Sequence, residues 1–282
     1  MIMFSNLPNR SCWLEQMVNN TNKMGDNFEQ TLQAWREYAE WGSRVSWPSD
    51  TGAKEAVDLT NPLRMFFEAH KKGHGIWKWS HYFEIYHRHF SRFRGQEAHV
   101  LEIGIYSGGS LEMWKDYFGT ACRIYGVDIE PACKAYEDNT VKVCIGNQAD
   151  RSFWQRFKRE APNIDIVIDD GGHLPEQQIA AFEELLPHLR PGGVYLCEDV
   201  HGVFNRFASY VHRFAHDLNA CDQHVNHPED DERRIVSPTT ALQSAVSSIH
   251  LYPFVTVIER TKAPVAELVA PKHGTEWQPF LR

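Results

Sequence analysis

The chain has 282 residues, 42% hydrophobic and 23% charged, with a net charge of −8. That is room for one large α/β domain with additions and an ordinary soluble composition. The negative balance, with no Lys/Arg cluster to reverse it locally, excludes a nucleic-acid footprint.

No run of 18 apolar residues occurs and Met1-Ile2-Met3-Phe4 is too short for a signal peptide, so no membrane partner and a cytoplasmic location are expected. The six cysteines (12, 122, 133, 144, 197, 221) lack any C-x-x-C pairing and read as reduced.

Along the chain, residues 1–74 form an N-terminal helical extension, expected to serve assembly or substrate cover, and 75–282 the main domain. The extension holds one amphipathic helix over 28–45, with Leu32, Trp35, Tyr38, Ala39 and Trp41 near helical spacing. A second helix, over 79–93, carries the aromatic stripe Tyr82, Phe83, Tyr86 and Phe90, and a stripe at that spacing usually packs into a core. Strands at 99–105, 123–129, 141–145, 164–168 and 194–197 then alternate with helices at 110–118, 132–136, 152–160, 176–189 and 203–218. Arg190-Pro191-Gly192-Gly193 serves as the stop of the fourth of these helices. A strand pair at 249–252 and 254–258 closes the chain.

Such alternation means βαβ units. The expected fold is an α/β, doubly wound, mostly parallel sheet of about seven strands, one of the last pair antiparallel. The polar stretch 221–236 reads as a solvated loop or a substrate lid. His87, His89, His224 and His227 read as surface residues.

Two clusters carry the chemistry. Asp169-Asp170-Gly171-Gly172-His173 and Glu198-Asp199-Val200-His201 each follow an apolar strand run. Neighbouring parallel strands ending this way gather carboxylates and imidazoles at the sheet edge where ligands bind. Packed acids repel one another unless a cation sits between them, and carboxylate oxygens suit Mg²⁺, Mn²⁺ or Ca²⁺. Helix capping by Asp170, and a strand-end cap pair at Glu198-Asp199, are the competing structural readings.

The turn after the first strand, from Glu102 through Gly104, Ser107 and Gly108 to Ser110, lets backbone approach a ligand at a helix N-terminus. Tyr106 stands where a dinucleotide fingerprint needs its second glycine, which disfavours NAD or FAD. Asp128 ends the second strand, where an acid accepts hydrogen bonds from ribose hydroxyls. Gly146-Asn147-Gln148 ends the third and borders an adenine.

These residues resemble class I S-adenosylmethionine-dependent methyltransferases: the E-x-G-x-x-x-G-G-S loop, Asp128, and Arg190-Pro191-Gly192-Gly193 before the fifth strand. Within that class the chain resembles the metal-dependent macrocin- and mycinamicin-type sugar O-methyltransferases. The carrying motifs are the two acidic clusters, Lys78-Trp79-Ser80-His81-Tyr82, Ser248-Ile249-His250-Leu251-Tyr252 and Val257-Ile258-Glu259. The resemblance covers 75–262.

It implies S-adenosylmethionine and Mg (or Mn/Ca) as cofactors. Asp170, Glu198 and Asp199 would hold the metal and His173 would be the general base, in keeping with histidine's ordinary pKa of about 6.5. Asp169 would face the cofactor's ammonium, Lys78 and Tyr82 would cover its methionine end, and His201 would touch the substrate. The implied acceptor is a vicinal diol on a glycosylated small molecule or sugar, and the implied assembly a homo-oligomer. Gly172, where the family often has Ser, implies a looser loop around His173. A catechol-type diol is the rival acceptor. A non-catalytic cofactor-binding scaffold is the rival from another class.

Overall fold

The computed structural model describes residues 24–46, 60–202, 204–220, 234–271 and 273–274. The chain divides into two compact units, Met1–Val57 and Asp58–Arg282.

In the first unit, α1 (Met24–Arg44) is the expected extension helix. Trp35, Tyr38 and Trp41 on its apolar stripe are exposed, and the Tyr38 and Trp41 rings meet at a tilt along the helix, 5.8 Å apart.

The second unit opens with α2 (Pro62–Ala69), which sequence reading passed over. Asn61 caps it by accepting from Leu63 N and Arg64 N, and Pro62 starts the helix where a missing N–H costs nothing. Next come α3 (Tyr82–Phe90) with a 3₁₀ turn at Ser91–Phe93, β1 (His99–Ile103), α4 (Gly109–Phe118) and β2 (Arg123–Asp128). A 3₁₀ segment at Pro131–Tyr136, β3 (Val141–Ile145), α5 (Arg151–Glu160), β4 (Ile164–Asp169), α6 (Pro175–Leu185) and β5 (Leu189–Cys197) complete the alternation. The chain ends with α7 (Arg206–Leu218), β6 (Arg234–Pro238), α8 (Ala241–Ala245), β7 (Val246–Tyr252), β8 (Val255–Arg260) and β9 (Glu267–Pro271).

Seven strands form one sheet in the order β3-β2-β1-β4-β5-β8-β7. β1 to β5 are parallel and β8 runs antiparallel to both neighbours, as the alternation requires. Helices on both faces bury the central strand β4 completely, so it is apolar throughout its middle, Ile166–Ile168. α3 and α4 cover one face around Tyr86, Phe90 and Trp114, and α5, α6 and α7 the other around Trp154, Phe182 and Phe207. The connections reverse direction between β1 and β4, so the crevice at the carboxyl ends of those strands is the switch point where such sheets bind ligands.

Four local expectations are corrected. α6 stops at Leu185, not 189, because Pro187 cannot continue a helix. Arg190-Pro191-Gly192-Gly193 therefore lies inside β5, as an irregularity between the pairs Ile164–Leu189 and Ile166–Val194. α7 begins at Arg206, capped by Asn205. His89 is buried, its ring bonded to Glu259 Oε1 at 2.7 Å and the Tyr252 hydroxyl at 2.9 Å. The small sheet β6-β9 was not expected. The lid reading at 221–233, and Cys12, Cys221, His224 and His227, lie outside the described residues.

Candidate active site

A cavity of about 1030 Å³ opens at the switch point. Lys78, Tyr82, Gly104, Ser107, Ser110, Asp128, Gln148, Asp170, His173, Glu198, Asp199 and His201 all line it; Glu102, Gly108 and Asp169 do not.

The β1 and β4 ends sit side by side, Ile103 opposite Asp169, and Asp170 N donates to Ile103 O at 3.0 Å. Gly104 makes this possible: its φ is +89°, and a Cβ there would lie 2.0 Å from Asp170 O. Gly104→Ala is expected to destabilise the protein by on the order of 3 kcal/mol, since it adds both strain and a backbone clash. Urea unfolding checks this, and an unchanged midpoint refutes it. Tyr106, His173, Asp199 and Phe254 are the non-glycine residues with positive φ among those described. The first three line the cavity. Phe254 meets the Trp79 and His201 rings edge-on beside it.

The carboxylates are tied to the segment ahead of α3. Lys78 Nζ lies 2.5 Å from Asp170 Oδ2, 3.0 Å from Glu198 Oε2 and 3.9 Å from Glu102 Oε1, its side chain only 3% exposed. Burial opposes the ammonium, but Asp170, Glu198 and Glu102 outweigh it and hold Lys78 above the ordinary lysine range. Tyr86 donates to Glu198 Oε1 at 2.7 Å. Tyr82 and Trp79 both donate to Asp199 Oδ1, at 2.7 and 3.1 Å. Tyr82 is thus a core residue and a site residue at once.

On the open side, His173 Nε2 stands 3.9 Å from Asp170 Oδ1 and 3.6 Å from Asp199 Oδ2. One ligand atom from each of these three residues falls within 4.8 Å of the others. Hard carboxylate oxygens at this spacing fit a divalent cation of the Mg²⁺ or Mn²⁺ kind, with the imidazole standing beside it. The capping alternative fails for Asp170. Leu174 caps α6 with no side-chain bond, and Asp170 points to Lys78 instead.

At the other end, Asp128 Oδ2 accepts from Ile105 N and Tyr106 N at 2.8 and 3.1 Å, and Oδ1 from Glu130 N. It fixes the glycine turn and retains acceptor capacity toward the cavity. Gln148 donates to Asp169 Oδ1 and accepts from Gly172 N.

The three residues off the cavity are corrected. Asp169 is buried, with its second oxygen on the Tyr195 hydroxyl, so it orients Gln148 instead of facing a ligand; burial pushes its carboxyl up to about 7. Glu102 is buried behind the turn, accepting from Ser110 Oγ and Trp114 Nε1, and burial raises it also to about 7. Gly108 caps α4 in the left-handed conformation.

The loop at Gly172 is not loose. Gln177 Oε1 sits where a Cβ at Gly172 would be, 2.1 Å away, so the Gln177 side chain fills the space a serine would take.

Sequence reading missed the rim. Trp77 (87% exposed), Tyr106 (74%) and Ile129 (67%) line the mouth, and Trp79 joins them. The segment from His74 to Trp79 lies tightly across α4, where a Cβ at Gly109 would strike His74 O at 2.4 Å. Trp77-Lys78-Trp79, an exposed-aromatic pair around a buried lysine, was the available signal.

A doubly wound seven-stranded sheet with this switch-point cavity defines a class I methyltransferase fold. Residues 101–200 match the family model of the methyltransferase domain, and the chain carries such a domain. It is similar to the 8-demethyl-8-(2-methoxy-alpha-L-rhamnosyl)-tetracenomycin-C 3'-O-methyltransferase of Streptomyces olivaceus, 41% identical over 45% of this chain and 33% of the relative. The demethylmacrocin O-methyltransferase of Streptomyces fradiae is 38% identical over 53% of this chain and 38% of its own. Among solved structures, the mycinamycin-pathway methyltransferase MycE in complex with Mg and SAH superposes with a TM-score of 0.55 at 28% identity, over 74% of this chain and 56% of that one. The chain thus spans about a third of the length of these curated relatives.

Proposed function

We propose that this chain transfers a methyl group from S-adenosylmethionine to a hydroxyl of a vicinal diol on a sugar-bearing small molecule, with a divalent cation held at Asp170, Glu198 and Asp199, all three on the cavity wall. The observation that carries this reading is the open group of Asp170, His173 and Asp199 at the mouth of the switch-point cavity. The sugar O-methyltransferases among the relatives, and MycE with Mg and SAH, support it.

Asp128 would accept from the ribose hydroxyls, Gln148 would border the adenine, and the turn from Gly104 to Ser110 would receive the methionine end beneath Tyr82. The cofactor's sulfonium supplies the methyl and its leaving group. A bound cation would lower the pKa of the attacking hydroxyl and fix it in place. His173 would take that proton, and His201 would orient the acceptor against Phe254. Glu198, oriented by Lys78 and Tyr86, would be the innermost of the three metal-holding carboxylates.

Calorimetry of S-adenosylhomocysteine binding with and without Mg²⁺, followed by an acceptor screen, tests the reading. Asp128→Ala is expected to weaken that binding by about 1.5–3 kcal/mol, roughly 10- to 150-fold. Tight NADH binding with no response to S-adenosylhomocysteine would sink it. The aromatic rim of Trp77, Trp79 and Tyr106 favours an aromatic diol as the second reading. Turnover of catechols but of no sugar in the screen would select it.

A further inference from the structure

Lys78 contacts carboxylates on three sides, which is more than a residue covering a cofactor needs. Its ammonium reaches Asp170 and both oxygens of Glu198, with Glu102 just beyond at 3.9 Å. Asp170, Glu198 and Asp199 are the carboxylates proposed above to receive a divalent cation, and Lys78 already occupies oxygens of the first two. Two cations on one carboxylate repel strongly where water is excluded. Four carboxylates without any cation repel one another just as surely. Among the described residues Glu102 has no other charged partner: it is fully buried and otherwise accepts from Ser110 and Trp114.

Resting on the metal reading, we propose that Lys78 is a resident cation. It holds Asp170 and Glu198 together before the metal arrives and withdraws toward Glu102 when the metal takes Asp170. The side chain suits this role. It rises from residues 74–79, which form neither helix nor strand, on a flexible four-carbon stem. A shift of the ammonium from Asp170 toward Glu102 keeps it paired and out of solvent throughout. The buried acid behind the glycine turn thereby gains a purpose: it is the seat to which the ammonium retreats. Lys78 and Glu102 are positioning residues in this scheme, acting through the cation site and not on the acceptor.

The test is calorimetric titration of Mn²⁺ into the full chain as wild type, Lys78→Gln and Glu102→Gln at one pH, with melting curves in chelator and in Mn²⁺. Lys78→Gln is expected to bind Mn²⁺ on the order of tenfold more tightly, because the competing charge is gone. It should also melt lower than wild type in chelator and gain more from Mn²⁺. Glu102→Gln leaves Lys78 intact but removes its retreat, and is expected to bind Mn²⁺ roughly threefold or more weakly. This second variant decides the matter if Lys78→Gln does not fold. Mn²⁺ binding that is unchanged or weaker in Lys78→Gln, or unchanged or tighter in Glu102→Gln, overturns the resident-cation role alone. No Mn²⁺ binding by the wild type overturns the metal reading and this inference with it.

Discussion

Replacing His173 by alanine is expected to lower kcat roughly 10²–10⁴-fold while leaving cofactor affinity nearly unchanged. The imidazole is half-exposed at the cavity mouth, its Nε2 within 4 Å of both Asp170 and Asp199, and no other histidine lies so close to those two carboxylates among the described residues.

Alanine at a φ of 56° is itself strained, so His173→Asn is the companion variant: asparagine tolerates that conformation and cannot act as a base. Both should be equally slow. His201→Ala should raise acceptor KM more than it lowers kcat. Near wild-type turnover at His173→Asn, or a larger kcat loss at His201, would show that the base has been assigned to the wrong imidazole.

Chelation should abolish turnover and Mg²⁺ should restore it. Asp170→Ala should do the same irreversibly while leaving the protein folded. The fold tolerates the change because the contact of Asp170 with β1 runs through its backbone N–H to Ile103 O, not its side chain. Lys78 would keep Glu198 and Glu102 as partners. Mg²⁺ should also raise the melting temperature of the wild type, since it binds the folded carboxylate group and not the dispersed one in the unfolded chain. Full activity in excess EDTA would refute the metal reading outright.

Periodicity located the strands of the parallel core because they are buried on both faces and read as short apolar runs. Of the antiparallel closing pair, β8 reads the same way, whereas the edge strand β7 is mostly part-exposed and starts three residues earlier than expected. The edges of helices were less so, and the residues that decided them were single ones: Pro187 ended α6, and Asn205 and Asn61 capped α7 and α2. The β6-β9 ladder carries exposed residues on a two-stranded ribbon, so it left no burial pattern to find.

At the site, order along the chain brought Asp170, His173, Glu198 and Asp199 together, since adjacent parallel strands must end side by side. It could not say which acids turn inward. Asp169 and Glu102 alternate out of the cavity into packed surroundings, a matter of strand pleat and of partners such as Tyr195 and Trp114 distant in sequence. Nor could it show that a lysine 92 residues before Asp170 would lie against it.

The left-handed residues have a consequence for anyone who would make this protein sturdier. Tyr106, His173, Asp199 and Phe254 each hold a conformation that glycine or asparagine adopts at less cost. A library screened for heat resistance alone would therefore collect replacements at these positions early, and at Tyr106, His173 and Asp199 the gain would come from relaxing the cavity wall. Survivors of such a screen should melt later and turn over less, so thermal selection of this scaffold has to be run with an activity gate from the first round.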